Sequence, residues 1–292
     1  MILFNGCGVA IATPFNKNGE IQYDMLEKHI EYLIANSADC IVACGTTGES
    51  ATLSLEEKLS LTKFIVEKVN KRVTVLAGSG SNDTKKTIEL SKEMAKLGVD
   101  GLLIVTPYYN KATQKGLITH YTQIANQVNV PIILYNVPSR TGLNMAPSTV
   151  KELAKISNIV GIKEASGDVS QFAEIAAFCD ENFALYSGND DHVLPIMALG
   201  GEGVITTIGN IIPKDMHDLI KLFPTDIARS RQLQLNMLGL IQAIFCEVNP
   251  IPVKQALELM GLGFKECRPP LYEMEPQNLE RLTKEMKAYG LI

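Results

Sequence analysis

Short β-rich runs, apolar on both faces, recur along the chain. They alternate with stretches whose apolar residues return every three or four positions. The runs start near Cys7, Cys40, Val73, Gly101, Pro131, Ile159, Phe183 and Gly203. Leu102-Leu103-Ile104-Val105 and Ile132-Ile133-Leu134 have no polar face, which is how parallel strands read when helices cover them. The 3.6-residue periodicity predicts helices over Leu55 to Val69, Thr84 to Leu97, Gly116 to Val128 and Pro147 to Ile156. Glycine, proline, asparagine and aspartate cluster at the junctions. Eight such units predict an α/β fold, a closed (β/α)8 TIM barrel. A doubly wound sheet is the alternative, but it usually stops short of eight strands. After about Phe223 the strands end, and helical segments broken at Pro250, Pro252 and Pro269-Pro270 follow. The expected organisation is a catalytic barrel over 1–224 and a C-terminal helical region over 225–292.

One position breaks the apolar pattern. Ile159-Val160-Gly161-Ile162-Lys163-Glu164-Ala165 carries a lysine inside a strand. By strand alternation Gly161 and Lys163 share a face, and the glycine leaves that face without bulk. An ammonium group there loses hydration, so its pKa is expected to fall. A neutral amine attacks carbonyl carbon, as a Schiff-base lysine must. The competing reading is a lysine near a strand end whose stem hides while its head snorkels to water.

Composition narrows the field without deciding it. The chain has 292 residues, 46% hydrophobic and 20% charged, with a net charge of −5, which is ordinary for a globular protein. No basic block with interleaved aromatics points to nucleic acid. The first residues have neither a cationic region nor a long apolar run, so no signal peptide is expected. No stretch approaches the roughly 20 apolar residues of a membrane span. Six scattered cysteines suit a reducing cytoplasm rather than a disulfide framework. Cys40 and Cys44 are read as buried strand residues, not metal ligands, because no histidine pair accompanies them. The four histidines stand apart and are read as helix-surface residues. No metal and no cofactor is expected.

In a barrel the chemistry gathers where strands end, and polar residues follow the apolar runs. Strand two ends in Gly45-Thr46-Thr47-Gly48-Glu49-Ser50, whose hydroxyls and backbone N–H groups suit a small carboxylate. A plain glycine turn is the alternative there. Strand four ends in Thr106-Pro107-Tyr108-Tyr109-Asn110. Strand five ends in Tyr135-Asn136-Val137-Pro138-Ser139-Arg140-Thr141-Gly142. Tyr135 shares a face with Ile133 and should point into the barrel mouth, where a phenol can pass a proton. Arg140 on the next loop can grip a carboxylate with two N–H groups. Core packing of the tyrosines and a solvated arginine are the alternatives. Strand seven ends in Tyr186-Ser187-Gly188-Asn189-Asp190-Asp191, and strand eight reads Gly203-Val204-Ile205-Thr206. An amine, a phenol, hydroxyls and an arginine together suit imine formation with a 2-oxo acid, followed by carbon–carbon bond making or breaking.

These segments, with Gly161-Ile162-Lys163-Glu164-Ala165 and a late run Asn249-Pro250-Ile251-Pro252-Val253-Lys254, resemble the dihydrodipicolinate synthase family of pyruvate-dependent class I aldolases. The resemblance runs nearly end to end. It implies condensation of pyruvate with L-aspartate 4-semialdehyde on the way to diaminopimelate and lysine. It implies that Lys163 forms the imine, that Tyr135, Thr46 and Tyr109 relay protons, and that Tyr109 comes from a neighbouring subunit. Thr47 would hold the pyruvate carboxylate, and Arg140 the aldehyde's carboxylate. Gly188 and the Ile205 backbone would line the pocket. A cytoplasmic homo-oligomer is implied, a tetramer of tight dimers, with no nucleic acid and no membrane among its partners. N-acetylneuraminate lyase and the 2-keto-3-deoxy sugar acid aldolases share the lysine and tyrosine; Arg140 favours a carboxylate-bearing aldehyde over a polyol. A 2-oxo acid sensor is a further alternative, but it has no need of an imine and a proton relay. Lysine-inhibited members carry an effector cleft whose pattern is partly kept here (Ser50, Ala51, Leu53, Asn82, Tyr108). It is broken at Leu55, Lys58 and Lys86, so insensitivity to L-lysine is expected.

Overall fold

The computed structural model describes residues 2–292. Eight strands close a barrel in chain order, every neighbouring pair parallel. They are β1 (Gly6–Ala10), β2 (Cys40–Ala43), β3 (Thr74–Gly78), β4 (Gly101–Val105), β5 (Ile132–Asn136), β6 (Ile159–Glu164), β7 (Ala184–Ser187) and β8 (Gly203–Thr206). Around them, in chain order, run α1 (Tyr23–Ala35), α2 (Leu55–Val69), α3 (Thr84–Lys96), α4 (Gln114–Ala125), α5 (Pro138–Thr141), α6 (Pro147–Leu153), α7 (Val169–Ala176), α8 (Val193–Ala198) and α9 (Pro213–Leu222). Then come α10 (Ile227–Ile244), α11 (Ile251–Leu259) and α12 (Pro276–Tyr289). The expected TIM barrel is the observed one, and the doubly wound alternative falls, because β1 and β8 pair and close the sheet.

Helix starts follow side-chain chemistry. Ser54 and Glu57 form a capping box on α2. Asp83, Thr113, Asp168 and Asp226 cap α3, α4, α7 and α10. Proline stands in the first two positions of α5, α6, α9, α11 and α12, since its missing N–H had no partner in a first turn anyway, while α1 and α8 start with neither device. Four-residue α5 was not expected; it begins at Pro138 and ends at Gly142 in the left-handed conformation.

Inside the barrel, alternate strand residues pack on one another: Ala10, Cys40, Val42, Leu76, Leu103, Ile133, Tyr135, Tyr186 and Ile205. Phe4 stacks on Tyr186 at 4.5 Å and accepts its phenol proton on the backbone oxygen at 2.7 Å, plugging one end. The opposite strand faces pack on the helices in the larger core. A bulge interrupts β6: Ile132 pairs with Ile159, but Ile133 pairs with Gly161, leaving Val160 as an extra residue. Ile159 belongs to the outer core, so unbroken alternation would have sent Lys163 outward. The extra residue turns it inward.

Two expectations need correction. The room around Lys163 does not come from Gly161, where a Cβ would stand only 2.7 Å from the Ala184 carbonyl oxygen; that glycine serves close approach of β6 to β7. The histidines are not all surface residues. His29 and His120 are buried on the inner sides of α1 and α4. His29 donates through Nε2 to Asn210 Oδ1 at 3.0 Å, and His120 Nδ1 meets Thr84 Oγ1 at 2.9 Å. Each keeps one ring nitrogen without a partner, and burial holds both rings down at about 4, in the neutral form.

Candidate active site

A cavity of about 240 Å³ opens at the carboxyl ends of the strands. Thr46, Thr47, Tyr135, Arg140, Lys163 and Gly188 all line it, so six of the eight predicted residues meet in one place. Lys163 on β6 lies between Tyr135 on β5 and Tyr186 on β7 in the strand register. Its Nζ sits 4.3 Å from the centre of the Tyr135 ring, and both side chains are buried. The space for the lysine stem comes from Gly188, where an added Cβ would press on Lys163 Cε at 3.1 Å and on Glu164 and Ala165 closer still.

Three cations line the cavity, Lys58, Arg140 and Lys163, and no carboxylate does among the described residues. A mouth of that charge, with low-dielectric walls, draws small anions. Asp190 stands behind it. Burial pushes its carboxyl up, while the Ile208 N–H at 2.8 Å, the Thr206 hydroxyl and the charge of Lys163 pull it down. Glu164 points to the other side of β6. It accepts from Asn136, Gln171 and the Ser166 N–H at 2.7–3.2 Å, against a burial effect that pushes it up. This network ties the ends of β5 and β6, which carry Tyr135 and Lys163.

Two predicted residues lie elsewhere. Tyr109 is 90% exposed, in the left-handed region at φ +72°, and lines no part of its own chain's cavity. Ile205 is buried in the barrel wall opposite Gly8, two residues short of the cavity-lining Thr207. Sequence reasoning missed Thr207 and Asn249. Asn249 donates to Thr47 Oγ1 at 3.0 Å and to Thr207 Oγ1 at 3.3 Å. Its signal was present in the late Asn249–Lys254 run, but nothing local tied that run to strand two.

The model of the dihydrodipicolinate synthetase family matches residues 3–289. The chain belongs to this family. It is 52% identical, over 99% of both chains, to the 4-hydroxy-tetrahydrodipicolinate synthase of Acetivibrio thermocellus. Its fold superposes on the crystal structure of the Aquifex aeolicus dihydrodipicolinate synthase with a TM-score of 0.96, at 41% identity over 99% of both chains. The chloride-inhibited dihydrodipicolinate synthase of Acinetobacter baumannii, crystallised with pyruvate, matches with a TM-score of 0.96 at 43% identity, again over 99% of each. Thr46, Thr47, Tyr135, Arg140, Lys163 and Asn249, all in segments that carry the resemblance, line the cavity.

Proposed function

We propose that the protein is a 4-hydroxy-tetrahydrodipicolinate synthase, condensing pyruvate with L-aspartate 4-semialdehyde. The observation that carries this reading is Lys163, buried against the Tyr135 ring in a cavity lined by cations and hydroxyls. The Lys163 amine adds to the keto carbon of pyruvate, water leaves, and an imine forms. The iminium accepts the electron pair left when the pyruvate methyl loses a proton. The resulting enamine carbon attacks the aldehyde, making the new carbon–carbon bond, and the alkoxide takes up a proton. The amino group of the second substrate then displaces Lys163, closing the ring and freeing the enzyme.

Tyr135 and Thr46 handle the protons, with Tyr109 contributed by a neighbouring subunit. Thr47 holds the pyruvate carboxylate, Arg140 the aldehyde's carboxylate, and Gly188 leaves room for the lysine stem. In this reading the backbone of Ile205 supports the pocket from the wall. Arg140 on the rim favours a carboxylate-bearing aldehyde over a polyol one. The chain works as a cytoplasmic homo-oligomer; no helix among the described residues is long and apolar enough to cross a membrane. Residues 1–224 form the catalytic barrel and 225–292 the helical region packed against it.

Borohydride added with pyruvate should reduce the imine and leave a pyruvyl-derived mass on the peptide carrying Lys163. Lys163→Arg should abolish labelling, because a guanidinium stays protonated. Arg140→Ala should still be labelled but lose most condensation with the aldehyde. A label on another lysine, or none, overturns the mechanism.

A further inference from the structure

The late run Asn249–Lys254 lies far from the barrel strands in sequence, yet it touches the strand-two loop at two points. Asn249 bonds Thr47, and Lys254 pairs with Glu49 at 2.7 Å. The ion pair is shut away from water, with 0% and 1% of the two side chains exposed. It anchors α11 to the loop and so fixes where Asn249 sits.

The Asn249 amide N–H groups donate to Thr47 Oγ1 and Thr207 Oγ1, and those oxygens lie 3.3 Å apart. A hydroxyl that accepts from an amide must send its own proton elsewhere. One hydroxyl can donate to the other; the proton of the second is left to point into the cavity that both threonines line. Chained donors of this kind polarise one another. The Asn249 Oδ1, in contrast, is buried and has no partner. A buried acceptor left unpaired works against stability. Asn249 thus spends its bonding on the two hydroxyls at the expense of its own carbonyl.

We propose that Asn249 is a positioning residue for the reaction, turning the hydroxyl pair of Thr47 and Thr207 into a directed donor for the carboxylate of the 2-oxo acid. The C-terminal region then completes the anion site that the barrel begins. This inference rests on the function proposed above.

The test uses the full-length chain and pyruvate itself. Asn249→Asp is nearly isosteric, but its carboxylate accepts where the amide donated, so the hydroxyl protons turn away from the cavity. The apparent KM for pyruvate should rise tenfold or more, with kcat held within about threefold and a smaller change for the aldehyde. The pyruvate concentration giving half-maximal borohydride trapping should shift in parallel. Thr207→Val should weaken pyruvate in the same sense, and Thr207→Ser should restore it; this pair carries the test if Asn249→Asp fails to fold. A pyruvate KM unchanged within twofold in folded Asn249→Asp, or Thr207→Val matching Thr207→Ser, overturns the inference. Failure of the wild-type chain to be trapped by pyruvate would instead overturn the proposed function.

Discussion

At the scale of single residues, burial without a charged partner holds His29 in its neutral form. His29 has one nitrogen bonded to Asn210 and the other facing no partner, so a second proton there would be buried unpaired. Its folded value of about 4 lies below the ordinary 6.5. Between these two values the unfolded chain binds the extra proton and the folded chain does not. Stability from this group is therefore fully present above about pH 6.5, falls as pH drops toward 4, and levels off below. The slope from one proton is at most about 1.4 kcal/mol per pH unit. Urea midpoints of wild type and His29→Gln should converge as pH falls through this window. A pH-independent gap between them would show that the ring does not titrate as described.

At the scale of elements, two irregularities outweigh many regular turns. The bulge at Val160 decides which way Lys163 faces, and the Lys254–Glu49 pair decides where α11 docks. The pair is reinforced on all sides. Lys254 also donates to the Glu266 carbonyl, the Arg268 N–H donates to Glu49 at 2.9 Å, and the Phe15 ring lies 4.5 Å from Lys254 Nζ and 4.4 Å from the Arg268 guanidinium carbon. Removing one charge of a buried pair leaves the other stranded. Lys254→Met should therefore cost about 3–5 kcal/mol. Adding Glu49→Gln to it should recover part of that loss, measured as urea midpoints. A double variant whose loss equals the sum of the two singles would mean that the charges do not sense each other.

At the scale of the whole molecule, one chain leaves an aromatic tip in water. Tyr109 is held at a positive φ, which costs a non-glycine residue on the order of 1–3 kcal/mol, and yet it contacts no site of its own. A second copy of the chain would use it. Mixing Tyr109→Phe with Lys163→Ala subunits should restore part of the activity, since hybrids regain one site with both groups intact. Verified hybrids without any rescue would argue against a shared site. Insensitivity to L-lysine is the other expectation at this scale. Lys58 lines the cavity and Lys86 is exposed on α3, both carrying the charge of a lysine effector's own ammonium. Like charges about 4 Å apart repel by roughly 4 kcal/mol at an effective dielectric near 20, before screening. Initial rates should stay flat at about 10 mM L-lysine, above the roughly 1 mM upper end of ordinary Michaelis constants. Saturable inhibition below about 1 mM would overturn this.

The barrel was legible because its signal is local and repeated. Eight runs apolar on both faces, such as Leu102–Val105, demand cover on both sides, and helices between them supply it. Lys163, Tyr135, Thr46, Thr47 and Arg140 were legible too, because barrel topology brings strand ends to one rim whatever the distances along the chain. The orientation of Lys163 was read correctly for a reason the alternation from Gly161 onward contains. Why that phase holds, against the outward face of Ile159, is visible only in the pairing with β5. Asn249 and Thr207, the burial of His29 and the purpose of Gly161 depend on neighbours up to some two hundred residues away. Periodicity records which face of an element is apolar. Which partner that face or a polar group on it meets is set by packing, and only the folded chain decides it.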